Sequence, residues 1–339
     1  MCEIERPYIH ADERIVFTRG TASIPPIYTS EQWNAKTAGR TLHELGPISN
    51  ICADWGNVLS EGLLHRKRVA LETRRRLADE PEAVEFLDSA TETIDAVLGL
   101  AARYANEARR MGKSCVPEIL ERLPALPPRN FHEALQSLRL LHAVAWMGGH
   151  YHVGLGRIDQ YLWPYLKQDF DSHLLDIAGA EELLAEFFIS LNKDSDLYPG
   201  VQQGDNGPTI MLGGGTRDGK DAANELAHMA IRVALYTNMI DPKVNLRITE
   251  KTDFSLLTLA TELTRRGLGF PQYSNDAVVI PALVANGYDS ADAWNCTVAA
   301  CWEFIIPGKG MEVVKYRRGL HAARGRQRNS RGTLGARII

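Results

Sequence analysis

Apolar residues recur at helical spacing through the first half of the chain. Pro81 interrupts this pattern, and Asn130 is a suitable N-cap for the helix that begins at Phe131. The predicted helices cover residues 57–79, 82–111, 131–146, 157–169 and 181–192. The segment up to about residue 50 has little apolar periodicity, which indicates an irregular arm. We therefore expect a helical portion over about 51–192.

Short β-rich runs alternate with helical stretches in the second half. The predicted strands are 209–212, 244–248, 269–273 and 296–299, and the predicted helices are 221–236, 254–266 and 278–286. Strand–helix–strand alternation of this kind is typical of βαβ units, whose strands are parallel. Because four strands are too few to close a barrel, we expect an incomplete α/β barrel over about 205–314 that follows a helical N-terminal layer.

The final segment, 315–339, differs from everything before it. It carries eight basic residues, no acidic residue and no hydrophobic period. One interpretation is a basic, disordered tail that binds nucleic acid. The other, which we prefer, is that the reading frame changes near Val314 and the segment is not evolved sequence. The remaining 30 basic and 42 acidic residues give the rest of the chain a net charge of −12, which argues against nucleic acid as a partner.

Composition excludes several classes of protein. Hydrophobic residues make up 45% of the 339 positions and charged residues 24%, which is typical of a globular chain. No run of about 18 apolar residues predicts a membrane span, and the first residues do not resemble a secretory signal, so we expect a cytoplasmic protein. The five cysteines never occur in C-x-x-C spacing, which argues against a disulfide framework and a zinc ribbon.

Two local motifs suggest phosphate or metal binding but are incomplete. Residues 214–220 satisfy G-x-x-x-x-G-K, yet Asp221 stands where that motif needs a hydroxyl for magnesium. We therefore predict a glycine-rich turn, with Asp221 capping the next helix. His150 and His152 could lie on one face of a strand, but no third ligand follows at motif spacing, so we expect no metal.

The densest candidate site lies at 294–303. An apolar strand is followed by Cys301, and Glu303 comes two residues later. The ends of strands are where α/β folds place ligand chemistry. No basic residue within five positions of Cys301 lowers the pKa of its thiol, which argues against a thiolate nucleophile. A buried structural thiol remains the alternative, whereas a thiol that donates a hydrogen atom needs no such activation.

Several sequence blocks resemble those of a known family. They are GRIDQYLWPY at 156–165, NEL at 224–226, GLGFP at 267–271 with Asn275-Asp276, and PPRNFHEAL at 127–135. The loop Ala300-Cys301-Trp302-Glu303 is similar to a G-C-V-E active-site loop with two substitutions. Together these blocks resemble the glycyl radical enzymes of the pyruvate formate-lyase-like superfamily, over about residues 9–314.

The resemblance implies a fold and a set of roles. The fold is a ten-strand α/β barrel around a central cysteine loop, of which residues 1–314 would form a part. Cys301 would carry a thiyl radical, and Glu303 would act as the general acid/base. His150 and Asp54 match positions that contact substrate, although Asp54 could equally be an N-cap.

The resemblance also implies partners. These are a small-molecule substrate, a second copy of the full-length chain in a homodimer, and a radical S-adenosylmethionine activating enzyme. That enzyme installs a glycyl radical in an R-V-x-G-[YF] motif near the family's C-terminus. No such motif occurs in these 339 residues, so we expect a truncated chain that is inactive as given and binds no cofactor itself.

Differences between this sequence and pyruvate formate-lyase reduce the number of reaction types that we expect. Pyruvate formate-lyase has paired cysteines, and Ala300-Cys301 lacks the pair, which argues against formate C-acetyltransferase activity. Glu303 indicates the dehydratase, lyase and decarboxylase branch, which performs dehydration, C–N, C–S or C–C cleavage, or decarboxylation. A non-catalytic scaffold or a basic-tailed binding protein is the alternative from another class.

Overall fold

The structure is a computed structural model that describes residues 2–17, 29–38, 49–148, 152–193, 207–300 and 302–313. Two predicted site residues, His150 and Cys301, lie outside these ranges, as does the basic segment 315–339. The predicted boundaries at 205 and 314 also fall outside them.

The helices of the described residues agree broadly with the apolar periodicity. They are α1 Ser30–Ala38, α2 Trp55–Glu61, α3 Leu63–Arg76, α4 Pro81–Arg110, α5 Val116–Arg122, α6 Phe131–Met147, α7 Ile158–Tyr161, α8 Trp163–Asp171, α9 Ile177–Leu191, α10 Glu225–Thr237, α11 Phe254–Thr264, α12 Asp276–Ala285 and α13 Ser290–Trp294. The predicted N-cap of α6 is confirmed, since the Asn130 side chain accepts a hydrogen bond from the Glu133 amide at 2.9 Å. None of these helices is long and apolar enough to cross a membrane.

Two single helices of the sequence prediction are each divided in the structure. The helix predicted over 57–79 is interrupted at Gly62, whose φ is +74°. A Cβ atom at this position would lie 2.6 Å from the Ala125 carbonyl oxygen, so the 123–126 loop packs directly against the backbone there. The helix predicted over 157–169 is likewise divided into α7 and α8, which begins with Pro164 in its first turn.

The strands of the described residues form three small sheets. They are β1 Ser49–Cys52, β2 His152–Gly154, β3 Thr209–Gly213, β4 Lys243–Ile248, β5 Gln272–Asn275, β6 Thr297–Ala299, β7 Glu303–Ile305 and β8 Met311–Val313. The sheet orders are β2-β1-β8, β3-β4-β5 and β6-β7. The first half of the chain was predicted as helical, and this is wrong for β1 and β2. Both strands are too short to produce a visible period.

The parallel strands follow one another in space. β1 pairs with β2, β3 with β4, and β4 with β5, all in parallel, and a parallel bridge between Gly156 and Ile210 joins the first group to the second. The class is therefore mixed α/β, as predicted. The described residues show small sheets and no closed barrel, so the predicted ten-strand barrel stays an expectation.

Two apolar clusters hold the layers together. Ile210 and Leu212 of β3 and Val244 and Leu246 of β4 share one cluster with residues of α9, α10 and α11. The second cluster joins the 2–17 arm to α4 and α6, where the ring of Phe17 stacks on that of Tyr104 at a centroid distance of 4.0 Å. The arm has no helix or strand, as predicted, although α1 follows it within the segment predicted to be irregular.

Candidate active site

Strands β6 and β7 form an antiparallel hairpin, and Ala300 and Trp302 are the described residues at its tip. β6 and β7 pair so that Ala299 faces Glu303. Glu303 is half-buried, and its Oε2 accepts a hydrogen bond from the Trp302 amide at 2.9 Å. Trp302 is 47% exposed, and its ring contacts that of Phe304 edge-to-face. The Glu303 carboxylate is therefore held by its own loop and reaches solvent in this chain.

The residue that precedes Cys301 has an uncommon backbone conformation. Ala300 has φ +56°, in the left-handed region that L side chains seldom adopt, and it is buried. Its carbonyl oxygen accepts a hydrogen bond from the Thr209 hydroxyl at 2.9 Å. Thr209 begins β3, so the hairpin tip is bound to the parallel sheet.

The other end of the hairpin strand is held by two arginines. Arg157 donates to the Trp294 carbonyl at 3.2 Å, and Arg247 donates to the same oxygen at 2.9 Å and to the Cys296 carbonyl at 3.4 Å. Arg247 is fully buried and forms two hydrogen bonds to Asp276, at 2.7 and 3.0 Å. A buried cation needs such a partner because removing both groups from water is costly.

Asp159 supports the sheet beside this cluster. It is fully buried, and its Oδ2 accepts a hydrogen bond from the Gly213 amide at 2.7 Å. Burial raises the pKa of the Asp159 carboxyl to about 6. Asn224 caps α10 and donates from its side chain to the Asp159 carbonyl at 2.6 Å. The polar residues of the recognised sequence blocks thus join β3, α7 and α10.

The glycine-rich turn at 214–220 is confirmed. Within it the Thr216 amide donates to the Lys220 carbonyl at 2.8 Å, and Gly219 has φ +75°. The predicted cap is wrong, because α10 begins after Asn224 and not after Asp221. The Asp221 carboxylate instead accepts hydrogen bonds from the amides of Ala223 and Asp253.

Asp54 is the N-cap of α2. Its carboxylate accepts hydrogen bonds from the backbone amide of Asn57 at 3.5 Å and from the Asn57 side chain at 2.5 Å. A Cβ atom on Gly308 would lie 2.7 Å from the Asp54 Cβ, so Asp54 lies near the segment that follows β7. The capping role is confirmed, and the contact with substrate stays a prediction.

Of the two histidines at 150 and 152, the structure describes only His152. His150 lies outside the described ranges, so its predicted contact with substrate stays a prediction. His152 is hydrogen-bonded, because its Nδ1 lies 2.8 Å from the Asn50 Oδ1. No group of three or more His, Cys, Asp or Glu side chains that could hold a metal occurs among the described residues.

Cys296 lies in a small buried apolar cluster. Cys296 is fully buried with Ile280, Ala293 and Ile306, and burial raises the pKa of its thiol. Cys301 lies outside the described residues. Cys296 therefore has the surroundings of a buried structural thiol.

The roles of Thr209, Arg247 and Asp276 were not predicted from the sequence. Asp276 was within a recognised block, and a charged Arg247 inside an apolar strand is itself a signal of a buried partner. Nothing in the local sequence marks Thr209, because its role depends on how β3 lies against the hairpin.

Comparisons with known proteins agree with the recognised blocks. A family model described as "Pyruvate formate lyase-like" matches residues 4–321. The chain is 27% identical over 281 residues to the isethionate sulfite-lyase of Nitratidesulfovibrio vulgaris, an alignment that covers 76% of this chain and 34% of the relative. It is 25% identical over 342 residues to the trans-4-hydroxy-L-proline dehydratase of Clostridioides difficile, which covers 89% and 42% of the two chains.

Solved structures of two dehydratases superpose on this chain. The glycerol-bound form of the B12-independent glycerol dehydratase from Clostridium butyricum superposes with a TM-score of 0.68 at 29% identity, over 77% of this chain and 35% of that one. Hydroxyproline dehydratase from Clostridioides difficile superposes with a TM-score of 0.71 at 25% identity, over 84% and 39%. The chain spans about a third of the length of the first curated relatives that it matches.

Proposed function

This chain belongs to the pyruvate formate lyase-like family of glycyl radical enzymes, and from that premise we propose that it supplies the cysteine loop of an enzyme that eliminates from or cleaves a small molecule. The reaction is dehydration, C–N, C–S or C–C cleavage, or decarboxylation. Relatives named as a sulfite-lyase and as dehydratases support this class. The observation that carries the proposal is the hairpin that carries Glu303, whose first strand, β6, is bound to the sheet just before its start and just after its end.

Two residues of the loop perform the proposed chemistry. Cys301, as a thiyl radical, removes a hydrogen atom from substrate, and Glu303 transfers the proton that elimination requires. The Trp302 amide donates to one oxygen of Glu303, which orients the carboxylate within the loop. In the family a glycyl radical converts the thiol into the thiyl radical. Its R-V-x-G-[YF] motif does not occur in these residues, so a segment outside this sequence would carry it, after modification by a radical S-adenosylmethionine activating enzyme.

The parallel strands fit the same proposal. β1 to β5 follow one another in parallel, and we propose that they form one half of a ten-strand barrel, with the hairpin at its centre. His150 precedes β2 and is the proposed contact with substrate. The alternative, a non-catalytic scaffold or basic-tailed binding protein, has no support among the relatives, which are named as lyases, dehydratases and a decarboxylase.

The test uses a full-length form in which residues 1–314 are followed by a segment that carries the glycyl radical motif. Cys301→Ser is expected to abolish turnover and to preserve the glycyl radical signal in electron paramagnetic resonance, because a serine O–H bond is too strong to relay a hydrogen atom. Glu303→Gln is expected to preserve that signal and to lower the rate by ~10²–10⁴-fold, since an amide cannot exchange the proton. Glycerol, isethionate and trans-4-hydroxy-L-proline, which the relatives' names suggest, are the first substrates to try.

Cys296→Ser is the matched control. Its thiol is buried in a structural cluster, so turnover should change little. Loss of turnover in Cys296→Ser with retention in Cys301→Ser would contradict the assignment. Full activity of Glu303→Gln would remove the acid/base role and leave the role of Cys301 intact.

A further inference from the structure

The hairpin strand β6 crosses one face of the parallel sheet. In β4, Val244 and Leu246 pack into the apolar cluster with the helices, so Lys243 and Arg247 lie on the opposite face. Arg247 binds the Cys296 carbonyl on that face, and Lys243 is the register partner of Thr209 in β3. Because Thr209 binds the Ala300 carbonyl, β6 runs from the Arg247 end of the sheet to the Thr209 end.

The bond at the Thr209 end acts directly on the reactive position. The Ala300 carbonyl belongs to the peptide unit that ends at the nitrogen of Cys301, so a donor to this oxygen fixes the orientation of that peptide plane. Ala300 itself has φ +56° and is buried, a conformation that persists only where neighbouring groups hold it. A buried carbonyl also requires a hydrogen-bond partner.

Thr209 is suited to this task. It is fully buried in β3, and its hydroxyl lies 2.9 Å from the Ala300 oxygen and 3.4 Å from the Gly207 oxygen. A hydroxyl has one hydrogen to donate, and the shorter contact receives it. Arg247, through Asp276, holds the other end of the same strand. The strand is therefore supported at its base by the Arg247–Asp276 ion pair and at its tip by the Thr209 hydroxyl.

We propose that Thr209 is a positioning residue, whose hydroxyl holds the Ala300 carbonyl and so orients the peptide that leads into Cys301. The importance of this position rests on the proposed function, because small displacements of a reacting group cause large losses of rate. The hydrogen bond itself is a property of this chain and can be tested without turnover.

The first experiment is hydrogen exchange of the intact chain, followed by mass spectrometry. Thr209→Val preserves the shape of the side chain and removes the donor, and it is expected to raise the exchange rate of amides at 299–303 roughly tenfold. Thr209→Ser retains the hydroxyl and should restore the protection. Thr237→Val is the matched control, since the Thr237 hydroxyl donates to the Val233 carbonyl within α10 and does not contact the hairpin.

A second readout is the alkylation rate of Cys301, normalised to the exposed Cys115 of the same molecule. Thr209→Val is expected to change this ratio several-fold, and Thr209→Ser is not. If Thr209→Val does not fold, Thr209→Ala provides the same comparison. Unchanged exchange and alkylation in the variant that lacks the hydroxyl would overturn the proposal. Increased exchange spread equally over β3, β4 and β5 would also overturn it, because that result indicates loss of the sheet.

In an active full-length form, Thr209→Val is expected to lower kcat roughly tenfold, with little change in KM or in the yield of glycyl radical. A rise in KM alone would contradict a positioning role. If Cys301→Ser remains active, the proposed function fails, whereas the exchange result at 299–303 stands independently. The two failures are therefore distinguishable.

Discussion

Asp159 belongs to the family block at 156–165, and the contacts of its side chain are structural. Its carboxylate is fully buried and accepts a hydrogen bond from the Gly213 amide at the end of β3. Burial raises its pKa from the ordinary value of 3.8 to about 6, and the neighbouring Arg157 opposes that rise. The folded protein thus holds a proton on Asp159 more tightly than the unfolded chain does.

This shift predicts a pH dependence of stability. A carboxyl whose folded pKa is raised contributes stability that is complete below its unfolded pKa and is lost as pH rises through the folded value. The unfolding free energy of the wild type, relative to Asp159→Asn, should therefore fall by about 2 kcal/mol between about pH 4 and pH 7. Urea unfolding of both proteins across this range measures the difference.

Asp218 is the control for that measurement. It is exposed, and hydrogen bonds from Lys220 and Thr216 lower its pKa to about 2, so it is already ionised at the start of the range. The difference between wild type and Asp218→Asn should rise slightly or stay level over this range, because a lowered pKa stabilises the fold as pH rises, whereas the difference for Asp159→Asn falls. A constant or rising difference for Asp159→Asn would contradict the assignment of a raised pKa.

At the scale of elements, the apolar periodicity predicted those helices whose bounds are set by their own sequence. α4 and α6 have clear apolar periods and recognisable starts at Pro81 and Asn130, and both were predicted. The break at Gly62 was not predicted, because it depends on a loop some sixty residues later that packs against it. Long-range packing also limits what the sequence predicts about the candidate site. Glu303 could be proposed from its sequence motif, whereas the role of Thr209 depends on how β3 lies against the hairpin.

The Arg247–Asp276 pair links β4, α12 and the hairpin, and it predicts a large effect of substitution. Arg247→Met removes the cation and leaves the Asp276 carboxylate buried without its partner, which is expected to cost about 3–5 kcal/mol of unfolding free energy. Chemical denaturation measures this loss. Hydrogen exchange should also rise at 294–297, where Arg247 binds two carbonyls.

Arg265→Met provides the comparison. Arg265 forms an ion pair with Glu262 on the surface of α11, and both side chains are at least half exposed. Its loss is expected to change stability by no more than about 0.5 kcal/mol. Equal effects of the two substitutions would show that the buried pair does not hold the hairpin.

At the scale of the whole molecule, the sequence pattern and the family match give different C-terminal ends of the folded unit. The sequence pattern places the boundary after Val314, where the basic segment begins, while the family model continues to residue 321. The two disagree over 315–321. The segment has no apolar period with which to join a core, although its charge would suit an anionic partner.

Two deletions decide between these boundaries. Removing 315–339 is expected to leave the thermal unfolding midpoint of the chain unchanged, and removing 322–339 should do the same, because neither segment supplies a patterned apolar face. If only the longer deletion destabilises the protein, the fold continues to residue 321 and the boundary at 314 is wrong.

DNA and RNA binding by the intact chain is expected to match that of the deletions. Binding that requires 315–339 and weakens steeply with salt would instead show that the eight basic residues form a selected nucleic-acid arm.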